Sequence, residues 1–257
     1  MPILTRSHIH TWFNEPIAVT VNGSSYYGFY SLTGQVSVGK YDHAKQILEI
    51  GSPRLDPITI DDHNNPALIV LNTGKILTAY THHPGACWAA ISNNPYDVTG
   101  GWTETQLYDG STYNNSYAHL CQTTDDQNTI WWFFRDGASG SRPITIRFNQ
   151  SGGNGNGWTA SSDVVKLIFN GSSRPYFRIV QSGRRIDILY NDGNAAVPEG
   201  IVNSLYHVYI IINQAGTQFS VYKSDGQLID TWNITGGTGI VNSIALPFSV
   251  SLGTVVY

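Results

Sequence analysis

At 257 residues the chain is long enough to bury a core unaided, as one large all-β domain or two ordinary ones. Charged residues make up only 12%, about half the usual share. The net charge of −4, from 14 basic and 18 acidic residues, argues against a nucleic-acid partner, which needs a cationic excess.

An anionic polysaccharide stays open as a partner, because a few cations gathered in a cleft are enough. The 26 Gly, 15 Tyr and 7 Trp suit short strands with an uncharged, aromatic surface, which is how proteins usually meet sugars. The opening "MPILTRSHIHTWFNEP" is too polar and broken for a transmembrane span or a signal peptide. No membrane partner is therefore expected. The chain is cytosolic at birth, part of a virion or cut from a secreted parent, and an extracellular or virion-associated place is expected. Cys87 and Cys121 leave one bridge, two buried thiols or a metal site with His119 open. No cofactor is expected, since no compact ligand spacing supports a metal.

Alternation with a period of two dominates the chain. "AVTVNGSSYYGFYS" (18–31) reads as two strands joined through Asn22-Gly23, and "QVSVGKYD" and "QILEIG" follow as two more. "ALIVLNTGKILTAYTHH" turns at Asn72-Thr73-Gly74, and "CWAAIS" follows it. "TIWWFFRDG" and "ITIRFNQ" form a third set. "YFRIVQSGRRIDILYNDG", "LYHVYIII" and "QFSVYKSDGQLIDTW" form a fourth. "RRID" (184–187) reads as a solvated hairpin pair. No helical periodicity extends beyond about two turns.

The sets recur every ~50 to 60 residues, near the blade period of propellers. "SNNPYDVTGGWTE" (92–104) and "SGGNGNGWTAS" (151–161) look like worn copies of the Asp-box turn between outer strands of sialidase-like blades. The expected fold is all-β, a β-propeller of four-stranded antiparallel blades occupying 1–257 as a single domain. About four blades can be placed, and "ALPFSVSLGTVVY" (245–257) reads as the start of a fifth. Either the N-terminal segment completes the last sheet or the chain is a piece of a larger propeller, and the break in mid-pattern at Tyr257 favours the second.

"TWFNEP", "YDH", "DDHNNPALIVLNTGKILTAYTHH", "WWFFRDG", "RPYFRIVQSGRRIDILYNDG" and "NSLYHVY" together resemble, in order, the BNR-4 repeat family, which includes ulvan-lyase-like polysaccharide lyases. The resemblance runs from Thr11 to Tyr209 and returns at "GTVVY". It implies an axial cleft that cuts uronate-containing polysaccharide by β-elimination. It also implies catalytic roles for His63, His83, Tyr117 and Arg135, with Tyr176 at the substrate; Asn64, His82 and Asn194 complete the expected substrate-binding set. Where the family often has Asp-Gly-His, this chain has Asp192-Gly193-Asn194, one imidazole fewer.

β-Elimination needs the uronate carboxylate neutralised, a base for the proton on the neighbouring carbon, and an acid for the departing oxygen. Arg135 suits the first task, since a guanidinium stays charged and grips a carboxylate with two hydrogen bonds. His83 can share it. His63 suits the base, because imidazole titrates near neutral pH. Tyr117 suits the acid, or the base where a cation lowers its pKa.

Each residue also has a plainer reading. His63 beside Asp61 and Asp62 orders a turn capped by Asn64 and Asn65. His82 and His83 are rim residues, and strand alternation sends one of them, His82, away from the other. Arg135 pairs with Asp136, and Tyr117 and Tyr176 are ordinary aromatics. Taken together, the four family positions favour a lyase of an acidic, ulvan-like or capsular polysaccharide. The alternative is a non-catalytic carbohydrate-binding or receptor-recognition propeller, for instance on a phage tail. A sialidase-like hydrolase would need an arginine triad, and the arginines show no such arrangement.

Overall fold

The structure, a computed structural model, describes residues 8–9, 16–61, 63–82, 85–108, 115–136, 144–153, 157–158, 165–169, 176–191, 203–234, 242–246 and 251–255. The described residues contain strands and turns but no α-helix. The chain forms two compact units, Met1–Cys121 with Ser151–Trp158, and Gln122–Gln150 with Thr159–Tyr257.

In the first unit, β1 (His8–Ile9) and β2 (Ala18–Val21) both pair with β3 (Ser24–Ser31), which continues antiparallel to β4 (Val36–Asp42) and β5 (Ile47–Gly51). The β2–β3 hairpin turns through Asn22 and Gly23 with φ of 50° and 73°. Both signs are positive, as the two-residue type I′ turn demands. The second sheet is a meander of β6 (Ala67–Val70), β7 (Ile76–Thr81), β8 (Cys87–Ser92) and β9 (Trp102–Tyr108). Its first turn closes with Leu71 N–H donating to Lys75 O and Gly74 N–H to Leu71 O, each at 2.8 Å.

Alternation along these strands sends one set of side chains inward. Tyr26 and Val38 of the first sheet meet Leu68 and Ile76 of the second, with Val98 from the β8–β9 turn. A second cluster gathers Val36, Ile58, Tyr80, Ala86, Trp88 and Ala90, and Trp102 packs against both. The β8–β9 turn is locked by Asp97, whose Oδ1 accepts from Thr99 N–H (2.8 Å), Thr99 Oγ1 (2.9 Å) and Gly100 N–H (3.0 Å). Trp102 Nε1 donates back to Val98 O at 3.0 Å. Gly51 ends β5 against this turn, so closely that a Cβ there would lie 1.7 Å from Val98 O. Only glycine fits.

β10 (Ser116–Gln122) carries the chain from the first unit into the second. The second unit begins with β11 (Ile130–Arg135), β12 (Ile144–Asn149) and β13 (Val165–Phe169), an antiparallel run. All six residues of β11 are buried, as its unbroken apolar "IWWFF" implies. β14 (Phe177–Ser182), β15 (Arg185–Asn191), β16 (Asn203–Ile212), β17 (Gln218–Lys223) and β18 (Leu228–Asn233) form the last meander. Within this unit Trp131 packs edge-on against Phe219, with ring centroids 5.2 Å apart, and lies 5.8 Å from Phe148. The turn before β11 is built on buried Asp125, which accepts from Thr123 Oγ1 (2.7 Å) and Thr129 Oγ1 (2.8 Å).

The fold is thus of the class expected, all-β sheets made of antiparallel meanders, with one correction. The described residues of the 245–257 segment do not start a fifth sheet. β19 (Asn242–Leu246) pairs in parallel with β13, and β20 (Ser251–Val255) pairs antiparallel with β16. β17 covers β16 only over Val208–Ile212, so the first residues of that ten-residue strand keep an edge to offer. An open ladder of N–H and C=O groups recruits any strand that reaches it.

Candidate active site

The segment before β6 is shaped by Asp61. Its Oδ1 accepts from His63 N–H at 2.8 Å, an Asx-type turn, and Asn64 N–H donates to Asp61 O at 3.2 Å. The same carboxylate oxygen is hydrogen-bonded to His63 Nδ1. An ionised carboxylate only accepts, so Nδ1 is the donor, and in the neutral ring it is Nε2 that keeps a lone pair. Tyr30 Oη donates to Asp61 O, Thr81 Oγ1 donates to His63 O at 3.2 Å, and fully buried Asn64 donates from Nδ2 to Thr59 O at 2.8 Å. The turn reading and the base reading of His63 are compatible: one aspartate makes the turn and orients the ring.

Tyr117 lies against that ring, with centroids 4.9 Å apart and planes at 30°. Its φ of 63° is left-handed, a conformation a bulky residue adopts at a cost of about 1–3 kcal/mol. The imidazole is 22% exposed, while Tyr117 is buried. The pair therefore presents a nitrogen base and a phenol side by side at the end of the second sheet, in a partly enclosed place.

His82 is engaged elsewhere in the first unit. Its ring stacks on Trp88 at 6.1 Å and its Nε2 is hydrogen-bonded to Thr59 Oγ1. Arg54 covers Trp88 at 4.3 Å and holds Glu104 at 2.8 Å, and Glu104 accepts from Tyr80 Oη. Burial first, then that hydrogen bond, pushes the Tyr80 phenol well up. Cys87 and Cys121 are buried and not bridged to each other, and burial raises the Cys121 thiol. Among the described residues no three His, Cys, Asp or Glu side chains are grouped to hold a metal ion.

In the second unit, Arg135 ends β11, buried, with its guanidinium 5.3 Å from the ring of Tyr176. Tyr176 is 40% exposed and is fixed by its N–H donating to Asn191 Oδ1 at 2.9 Å. A cation behind an exposed aromatic face suits a sugar ring with an acidic substituent. Asp136 is occupied by Lys166 at 3.1 Å. His83 and Asn194 lie outside the described residues. The structure thus pairs His63 with Tyr117 and, separately, Arg135 with Tyr176.

In the sequence Asp61 reads only as part of the turn at His63, and its grip on the ring is seen in the structure. The available signal was its spacing, since an Asp two residues before a His is placed both to make an Asx turn and to reach the ring.

Solved structures share this fold. An ulvan lyase of polysaccharide lyase family PL25, bound to a -[GlcA(1-4)Rha3S]- saccharide, is 16% identical with a TM-score of 0.66 over 88% of this chain and 58% of that one. The polysaccharide lyase Uly1 is 11% identical with a TM-score of 0.58, over 84% of this chain and 56% of that one. This chain spans a little over half the length of these lyases. No curated protein matches it. The BNR_4 model, described as a BNR repeat-containing family member, matches residues 24–257, and the chain belongs to that family.

Proposed function

We propose that the chain is a polysaccharide lyase that cleaves a uronate-containing acidic polysaccharide by β-elimination. One observation carries this reading: Asp61 orients His63, and His63 stacks on Tyr117. The saccharide bound to the ulvan lyase contains glucuronate, and a substrate of that class suits the residues here.

The proposed reaction needs a cation on the uronate carboxylate to spread the charge that builds there, the role that the family resemblance implies for Arg135, with His83 assisting. His63 Nε2 removes the proton from the carbon beside the carboxylate. The electron pair left behind forms a carbon–carbon double bond and expels the glycosidic oxygen on the next carbon, and that oxygen takes the Tyr117 phenolic proton. Tyr176, with its exposed ring, stacks on a sugar ring.

The test is incubation with a panel of uronate polysaccharides, glucuronate–rhamnose sulfate polymers first, while following ultraviolet absorbance. An unsaturated uronate absorbs and its precursor does not. Retention of such a polymer with no absorbance from any substrate would establish the alternative instead, a carbohydrate-binding module, in which the exposed Tyr176 ring backed by Arg135 is the working part.

A further inference from the structure

Three polar side chains beside the His63–Tyr117 pair have hydrogen-bonding capacity that nothing in the protein fills. Asn65 is fully buried, and neither its Nδ2 nor its Oδ1 has a partner. Asn115, 1% exposed, donates from Nδ2 to Gly85 O at 3.3 Å, but its Oδ1 accepts nothing. Ser116 is fully buried, and its hydroxyl is unpartnered.

Asn65 comes two residues after His63, and Asn115 two residues before Tyr117. The 4.9 Å stack of those rings brings the two segments together. Both segments also meet the β7–β8 hairpin, one through Thr81 Oγ1, at the end of β7, to His63 O and the other through Asn115 to Gly85 O. A buried polar group left unpaired costs at least as much as a lost hydrogen bond, and an apolar side chain of similar shape would avoid that cost. Three such groups on the two segments that carry the stacked rings need a reason.

We propose that Asn65, Asn115 and Ser116 form a neutral hydroxyl-binding subsite beside His63, which takes the vicinal hydroxyl pair of a sugar residue. The set carries no charge of its own, cationic or anionic, and the Asp61 carboxylate is already spent on His63. It therefore has nothing to hold an acidic substituent. An amide offers two donors and an acceptor in one plane, the complement of two adjacent hydroxyls that each give and accept. The three groups are enclosed without ligand, so the sugar enters as the 115–117 segment shifts. The left-handed backbone at Tyr117 favours that shift, because moving it releases strain. The subsite rests on the reading of the chain as a saccharide-handling protein, and not on the elimination chemistry.

The experiment measures binding of an oligosaccharide of glucuronate and rhamnose 3-sulfate by calorimetry, with melting temperatures of the unliganded proteins. The variants are Asn65→Leu and Ser116→Ala. Asn65→Leu is expected to melt at the same temperature as the parent or higher, and to weaken binding by about 10-fold or more. Ser116→Ala is expected to weaken binding by roughly 3- to 10-fold. The per-O-methylated oligosaccharide, which keeps its charges but has lost its hydroxyl donors, should bind the parent and Asn65→Leu equally weakly.

A lower melting temperature for Asn65→Leu with unchanged affinity would mean that Asn65 holds an internal water, and would overturn the subsite. Should Asn65→Leu fail to fold, unchanged affinity in Ser116→Ala overturns it alone. A parent that binds no oligosaccharide overturns it too. Product formation by both variants with parental affinity would sink the subsite and leave the lyase standing. Asparagine-dependent binding without any unsaturated product would do the reverse.

Discussion

His63 and Tyr117 stack with ring centroids 4.9 Å apart, and Asp61 grips both the backbone N–H and the Nδ1 of that histidine. An imidazole held in this way has one tautomer and one orientation, the state a proton-transferring base needs. Asp61→Asn keeps an acceptor for the backbone turn and removes the charge that fixes the ring. Turnover of a cleaved polysaccharide should fall by about 10²-fold, with the thermal melt nearly unchanged. Tyr117→Phe keeps the stacked ring and loses only the hydroxyl, and should lower the rate by roughly 10²- to 10⁴-fold. Initial rates from product absorbance, read beside melting curves, decide both; full activity in Tyr117→Phe would remove the phenol from the mechanism.

Arg135 tests the charge requirement. Arg135→Ala should raise the barrier by about 3–4 kcal/mol, since one preorganised donor to the developing charge is lost. Arg135→Lys keeps a cation but cannot form the planar two-point grip or lie over Tyr176 in the same manner, so it should recover only a small part of the rate. A lysine variant with parental kcat would show that charge alone is enough.

Acid stability should follow two carboxylates. The side-chain hydrogen bond from Asn94, and next the backbone N–H of Thr99, hold the Asp97 carboxyl below its ordinary range. For Asp187, burial acts to raise the pKa, but the hydrogen bonds from Arg185 and then His207 outweigh it and leave a net lowering. A carboxyl with a lowered folded pKa binds its proton more readily once unfolded. The stabilisation is therefore complete above the unfolded value, near 3.9, and is lost as pH falls through the lower folded value. Denaturation midpoints should hold steady from neutral pH to about pH 4 and drop below it. Asp97→Asn and Asp187→Asn should each flatten that drop; an unaltered acid limb in the double variant would contradict the assignment.

Close packing gives a sharper stability test. Gly51→Ala drives a methyl into Val98 O, where backbone rather than a flexible side chain must yield. A loss of about 1–3 kcal/mol is expected in urea melts. The neighbouring Ile50→Ala, at a position 47% exposed, should cost far less.

Both thiols are buried, and burial holds the Cys121 thiol in its protonated form. Since the thiolate is the reactive species, neither cysteine should react with a thiol reagent in the native protein. Both should react at once in denaturant. Rapid native labelling at either position, located by mass spectrometry, would mean that the sheet opens locally there.

Some of this architecture was plain in the sequence, and the physics says which parts. Asn22-Gly23 announced its hairpin because few residue pairs accept two positive φ angles, and Asp97 and Trp102 announced their turn because both make local bonds. The β10 strand "SYAHLCQ" has no such signature, since its buried His119, Ser116 and Tyr117 break the apolar alternation. The parallel pairing of β19 with β13 had no local signature at all, because register between strands that distant is set by which edge is open. At the site, the residue types were legible but their couplings were not. Nothing in the spacing alone showed that Tyr117 would take a left-handed backbone against His63, a conformation that local propensity disfavours and surrounding structure imposes.

The pairing of Val165 with Asn242, which adds β19 beside β13, also sets the pace of folding. A meander can zip strand by strand as it leaves the ribosome, each hairpin closing a short loop. β13 must wait until the whole β14–β18 meander has been made and β19 has followed it. Contacts between residues so far apart pay loop-closure entropy before they return any stability, and they slow the approach to the native state. During that interval β13 presents an unpaired ladder, which another nascent chain can occupy. Yield of soluble protein should therefore depend on growth temperature and expression rate more steeply than the finished fold's stability would suggest, with the aggregates nucleated at β13.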